Sequence, residues 1–256
     1  MKIGVSYNLF DGEELLEGSI KCIRDEVDYI SVVYQTESNF GNPCDENLIP
    51  LLNDLLKKGL IDELFEYKPK INKGGHHNEI TKRNIGVSLS LGAGCTHHMS
   101  MDSDEYYLLK EFQYMKKTVQ EGNYDSAACQ LLTYYKEPIY ILDPPEDYYV
   151  SLLYRIKPSS EYKIGSRLPV LVDPTRCMEP GNCKIFTRDE MQMHHFSYIR
   201  KNVKRKLQNS SAVVNFKDRV DGLVDYHNKW EYPKQALMAG VPDKLYKIKK
   251  VENLFI

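Results

Sequence analysis

Residues 96–105, Thr96-His97-His98-Met99-Ser100-Met101-Asp102-Ser103-Asp104-Glu105, decide how this chain is read. The first six lean apolar and read as a strand, and an amphipathic run begins at Tyr106. A strand therefore enters Asp102-Ser103-Asp104 and a helix leaves it. Two carboxylates at i and i+2, just past a strand end, can share one divalent cation. Such a hard cation takes oxygen ligands and leaves positions open for phosphate oxygens. Open parallel sheets bind ligands beyond the carboxyl ends of their strands. Asp-x-Asp is also common in solvated turns, so its weight comes from its place in the chain.

Toward the N-terminus, strand and helix signals alternate. Ile3 to Tyr7 reads as a strand, and Glu13 to Arg24 as a helix with Leu15, Leu16, Ser19, Ile20 and Ile23 on one face. Tyr29 to Tyr34 reads as a buried strand. Asp45 is placed to cap a helix carrying Leu48, Leu51, Leu52, Leu55 and Leu56, which Gly59 stops. Ile61 to Tyr67 reads as a third strand. Asn78 to Leu91 reads as a helix with Ile80, Asn84, Val87 and Leu91 along one side. The alternation predicts an α/β fold with a mostly parallel sheet flanked by helices.

Beyond the Asp-Ser-Asp the order changes. A helix is expected from about Tyr106 to Gln120, then β-like runs at Asp125–Tyr135 and Pro138–Leu142. Pro144-Pro145 and a Gly/Pro/Cys-rich stretch from Pro169 to Cys183 follow. Lys184 to Tyr198 holds two more strand-like segments. From Ile199 onward the chain reads as mostly helical with a lysine-rich tail. The expected division is one domain over residues 1–198 with a C-terminal helical extension over 199–256.

The chain has 256 residues, 42% of them hydrophobic and 27% charged, as in ordinary globular proteins. Its formal net charge of −2 supplies no global basic field for nucleic acid. The six cysteines include no C-x-x-C pair, so they read as free thiols in a reducing compartment rather than a disulfide framework or zinc site. No apolar run approaches membrane-spanning length. The first residues, Met1 to Ser6, read as a strand rather than a signal peptide. A cytoplasmic location is expected.

Three further motifs carry chemistry. The loop Tyr7-Asn8-Leu9-Phe10-Asp11 follows the first strand, where it can hold a nucleotide base or serve as a plain connection. Lys82-Arg83-Asn84-Ile85-Gly86 offers cations for a diphosphate, with Arg forming a bidentate fork, or simply a solvated helix face. Met193-His194-His195-Phe196-Ser197-Tyr198-Ile199-Arg200 reads as a strand. Adjacent histidines on a strand point to opposite faces, so only one can face a cleft. A neutral imidazole there suits Mn²⁺.

The order of these motifs resembles that of GT-A glycosyltransferases, most like family-2-type bacterial enzymes. The matching residues are Asn8 with Glu13-Glu14, KRNIG at Lys82 to Gly86, and MDSDE at Met101 to Glu105, covering roughly the first 110 residues. The resemblance implies a GT-A (nucleotide-diphospho-sugar transferase) fold, a nucleotide-diphospho-sugar donor and a divalent cation, Mn²⁺ or Mg²⁺, on its phosphates. It implies Asp102, Asp104 and His195 as metal ligands. Tyr7, Asn8, Glu37, Lys82, Arg83, Asp102 and Ser103 fall to the donor. Glu37 stands in for the family's acidic residue after strand two, because Tyr34-Gln35-Thr36-Glu37-Ser38-Asn39 departs from the usual pattern. No Gln-x-x-Arg-Trp element occurs, which speaks against a processive synthase.

Glycosyl transfer with inversion needs a carboxylate to deprotonate the acceptor. Asp189 and Glu190 lie near the family's usual acidic position, as the base or as a plain surface turn, with Glu146-Asp147 a second candidate. The implied activity is sugar transfer to a glycan or lipid-linked acceptor in bacterial surface polysaccharide synthesis. A sugar-nucleotide nucleotidyltransferase and a non-catalytic sugar-binding protein are the alternatives. Lys201, Lys204, Arg205 and Lys206 form either a peripheral membrane contact at the inner face or a solvated helix face.

Overall fold

The first strand, β1 (Ile3–Leu9), leaves only Asn8 of its seven residues partly exposed. A strand buried on both faces requires helices on each side. It is followed by α1 (Glu13–Ile23), β2 (Tyr29–Tyr34), α2 (Leu48–Lys57), β3 (Glu63–Glu66), α3 (Gly75–Gly92) and β4 (His97–Asp102). This is a computed structural model, and it describes residues 1–165, 167–240 and 244–255. β1 pairs in parallel with both β2 and β4, and β2 in parallel with β3. The chain thus builds outward from β1 through β2 to β3, then returns through α3 to place β4 on the other side of β1. That reversal makes the carboxyl ends of β1 and β4 a topological switch point, where α/β sheets open a crevice. Asn8 and Asp102 are partners in the register there.

α1 buries Leu15, Leu16, Ser19, Ile20 and Ile23, the face expected from their spacing. α3 does not follow its apolar spacing. It buries Asn78, Lys82, Arg83, Gly86, Val87 and Ser90, so of the expected face only Val87 is buried. The reason is close approach. A methyl on Gly86 would overlap Ser6 of β1, and one on Gly4 would overlap Ser90. Small residues let helix and strand backbones touch, and the polar end of the same face reaches past the sheet edge.

Beyond the Asp-Ser-Asp come β5 (Glu105–Tyr106), α4 (Leu109–Glu121), β6 (Ser126–Tyr135), β7 (Glu137–Asp143), β8 (Tyr149–Arg155), β9 (Cys183–Phe186) and β10 (Gln192–Tyr198). The chain closes with α5 (Val203–Asn209), α6 (Val220–Asn228), β11 (Ala236–Leu237) and β12 (Leu245–Lys250). Among the described residues one sheet runs β11-β12-β7-β6-β8-β4-β1-β2-β3, with β9 and β10 beside β6. Its central part is parallel, and antiparallel partners extend it from β8 onward. The helix expected from Tyr106 starts later, because Glu105-Tyr106 pairs with His194-His195 of β10 as a short strand.

The segment after residue 198 is not simply helical. α5 and α6 pack with Trp230 against Tyr135 and Leu142 of the sheet. The lysine-rich run then returns as β12, an edge strand on β7. Among the described residues no helix is long and apolar enough to cross a membrane. All six cysteines are free thiols.

Candidate active site

The floor of the cleft is the end of β4. Arg83 reaches it from α3 and donates from Nη1 to Ser100 Oγ at 2.6 Å. Its Nη2 lies 3.8 Å from Asp102 Oδ1. Arg176, from the β8–β9 connection, donates to Asp102 Oδ2 at 2.6 Å and to Glu105. Burial alone disfavours the Asp102 carboxylate, but Arg176 and Arg83 overcome that and hold it below its usual range. Glu105 is buried on the same guanidinium. There desolvation outweighs the attraction and lifts its carboxyl to about 7.

Lys82 is buried beside Arg83 and has no ion-pair partner among the described residues. Burial pulls its ammonium down to about 8, against the pull of Glu79 and Asp102. Asn8 also lines the cleft, with its Oδ1 buried and unpartnered.

The opposite wall comes from β10 and α5. Pairing of His195 with Glu105 brings the imidazole Nε2 to 3.8 Å from Asp104 Oδ2. Arg200 donates to the same oxygen at 2.6 Å, and Lys206 approaches it at 3.5 Å. Burial opposes ionisation of Asp104, yet Arg200, Lys206 and His195 together hold its carboxyl well below the ordinary value. His195 is pushed down to about 4 by burial, so it is neutral at physiological pH. Lys206 is pulled down to about 8, again chiefly by burial. Arg200 also faces Asp11 at 3.7 Å. It passes directly over Gly12, whose φ of +81° and missing Cβ make room for the guanidinium.

His194 points the other way. It is fully buried, with Nδ1 2.9 Å from the Tyr134 hydroxyl and its ring edge-on to Phe255.

The structure gathers Asn8, Lys82, Arg83, Asp102, Ser103, Asp104 and His195 around one cleft of about 270 Å³. It leaves six expected residues outside it. Tyr7 is sealed in the core with its hydroxyl on Ser19, so it cannot touch a donor. Glu37 is exposed on the loop after β2, and Gln35 and Asn39 line the cleft in its place. Asp189 is exposed in the turn before β10. Glu190 is pinned there by Lys184 at 2.8 Å and by Thr187, and the Lys184 bond first of all lowers it to about 2. Glu146 accepts from Thr133 and Asp147 from Gln130, also away from the cleft.

The basic run divides, with Lys201 exposed and the others partnered. Lys206 turns into the cleft, Arg205 bonds Asp45 at 3.0 Å, and Lys204 bonds Asp221 at 2.8 Å. Sequence reasoning missed Arg176, Arg200, Glu79 and Asp173, all close about this cleft. Arg200 ends the quoted histidine strand, two residues past its last paired residue, and that position was the one available signal.

The donor set suits a hard or borderline cation in part. Asp104 and His195 present a carboxylate oxygen and a neutral imidazole nitrogen to one point, with Asp102 on the same lip. Among the described residues no cluster of three such side chains closes around a single position.

No protein-family model matches the sequence, and no curated protein matches it. Similar solved structures include S. aureus TarS in complex with UDP-GlcNAc, at 10% identity and a TM-score of 0.48, over 90% of this chain and 73% of that one. S. aureus TarS in complex with UDP gives 9% identity and 0.49 over the same shares, 90% and 73%. GalNAc-T7 with UDP, GalNAc and Mn²⁺ gives 11% identity and 0.46, over 91% of this chain and 52% of that one.

Proposed function

We propose that this protein is a GT-A-type glycosyltransferase that moves a sugar from a nucleotide-diphospho-sugar donor to a glycan or lipid-linked acceptor. The observation that carries the reading is the meeting, at the β1–β4 switch point, of Asp104 and His195 with the cations Lys82, Arg200 and Lys206. Sugar transfer places its new negative charge on a departing diphosphate. Cations fixed beside that oxygen in a cleft shielded from water stabilise it without reorganising. Lys206 and Arg200 flank Asp104 on one wall, and Lys82 stands on the other. Asp104 and His195 are the residues that would hold a divalent cation, which when bound supplies Lewis-acid charge to the phosphates. Asn8, Gln35 and Asn39 also line the cleft and offer neutral polar groups to a nucleoside.

The test is calorimetry with UDP, GDP, dTDP, CDP and ADP, with and without Mn²⁺, followed by a screen of nucleotide-sugars for release of the nucleoside diphosphate. Tight binding that Mn²⁺ strengthens, and turnover lost in EDTA, are expected. Failure to bind any of UDP, GDP, dTDP, CDP and ADP overturns the reading.

A further inference from the structure

One carboxylate in the cleft has no place in the donor-binding arrangement. Asp173 lies on the β8–β9 connection, its side chain about one-third exposed, and lines the cleft beside Arg83. Its Oδ1 accepts from both the backbone N–H and the hydroxyl of Thr175, each at 2.8 Å. Its Oδ2 carries no hydrogen bond: Arg83 Nη2 and Arg176 Nε both stand 3.7 Å away. One oxygen is therefore fixed and the other is free to accept.

The segment that carries it is clamped. The Arg176 carbonyl accepts from Ser151 at 2.7 Å and Tyr154 at 3.2 Å, while its guanidinium donates to Ser100 O at 3.3 Å, to Asp102 and to Glu105. Asp173 is thereby held at a set position relative to the metal-side carboxylates.

The other carboxylates are less firmly positioned to receive an acceptor's proton, although burial raises the Glu79 carboxyl above its ordinary value. Asp102 and Asp104 are each committed to a guanidinium at 2.6 Å. Asp11 accepts from Gly12 N and faces Arg200. Glu79 hangs from α3 with no hydrogen bond among the described residues to orient it.

We propose that Asp173 is the catalytic base that takes the acceptor's proton, an assignment that rests on the glycosyl-transfer reading above. In the step, the acceptor O–H gives its proton to Asp173 Oδ2 as the acceptor oxygen bonds to the anomeric carbon. The bond from that carbon to the phosphate oxygen breaks, and its electron pair leaves with the nucleoside diphosphate. One displacement inverts the anomeric centre. With water as acceptor the products are free sugar and nucleoside diphosphate.

Asp173→Asn keeps the Oδ1 contacts to Thr175 and removes the base. Affinity for the same nucleoside diphosphates is measured by calorimetry in Mn²⁺. Turnover is measured on a panel of the corresponding nucleotide-sugars, with the released anomer read by NMR. Asp173→Asn is expected to lose about 100-fold or more in kcat, with KM and nucleotide affinity within about threefold of wild type. Glu79→Gln, at the rival carboxylate of the same cleft, is expected to lose less kcat than Asp173→Asn, and the product is expected to be inverted. Wild-type kcat in Asp173→Asn, the large loss in Glu79→Gln instead, or a retained anomer overturns the assignment and leaves the transferase reading standing. Failure of the wild type to bind any of these nucleotides removes both.

Discussion

Truncating Asp104 removes more than a ligand. Its carboxylate is buried and is the nearest counter-charge of the buried Arg200, so Asp104→Ala leaves that guanidinium with Asp11 alone, at 3.7 Å. Breaking such a pair costs about 3–5 kcal/mol, far more than an exposed turn carboxylate. Asp104→Asn keeps an acceptor for Arg200, and chemical denaturation should find it clearly more stable than the alanine variant while Mn²⁺-dependent turnover is lost in both. The two histidines divide similarly. His195→Ala is expected to raise the Mn²⁺ concentration for half-maximal activity by about tenfold or more, whereas His194→Ala lowers the melting temperature and leaves Mn²⁺ dependence alone. Equal small effects on Mn²⁺ dependence would remove His195 from the metal site. Lys82 and Lys206 sit near 8 in the free protein. A bound diphosphate favours their charged forms, so binding takes up protons around pH 8 and weakens as pH rises from 7 to 9. Calorimetry in buffers of different ionisation enthalpy reads that uptake directly. The cleft positions of Asp102, Asp104, Lys82, Arg83 and His195 were legible because each sits in or beside a recognisable element. Arg176 and Asp173 were not, because their loop has no period and their partners lie some 70 residues away in the chain.

At the level of elements, the turn from β1 into α1 and the seat of α3 depend on missing side chains. Gly12→Ala places a methyl on a left-handed residue, costing about 1–2 kcal/mol, and drives it into the Arg200 guanidinium. The expected result is weaker nucleotide binding with a modest fall in stability; unchanged binding would show that Arg200 does not need this seat. Gly86→Ala lifts α3 from Ser6, an overpacking cost of about 1–3 kcal/mol, and moves Lys82 and Arg83 with it. The sequence showed the strands and most helices plainly, since buried parallel strands read as apolar runs. It hid β5 and β11, each two residues long, β8, which lies among tyrosines and follows the proline pair, and β12, whose lysines read as a polar tail. It also misdirected the α3 face, because a helix docked through Gly and Ser leaves little apolar periodicity.

On the scale of the whole molecule, the interior holds histidines in their neutral form. Burial pushes His97, His194 and His195 to about 4 and His98 to about 3. The unfolded chain binds these protons near pH 6.5, so it holds more protons than the native state below that point. Stability from these groups is full above about pH 6.5 and drains as pH falls toward 4. Melting temperature measured from pH 7.5 to 4.5 should decline steeply across this window; a flat profile would contradict the buried neutral histidines. The pairing of β1 has a consequence for how the chain comes into being. Its two neighbours are Tyr29–Tyr34 and His97–Asp102, so the central strand keeps one edge bare until nearly a hundred further residues have been made. Contacts that close so long a loop form late and slowly. During synthesis the nascent N-terminal half is thus a sheet fragment with an open apolar edge. Pulse-labelled hydrogen exchange on refolding should find β1 and β2 protected before β4 joins them, and that open interval is when the chain is most exposed to pairing with the wrong partner.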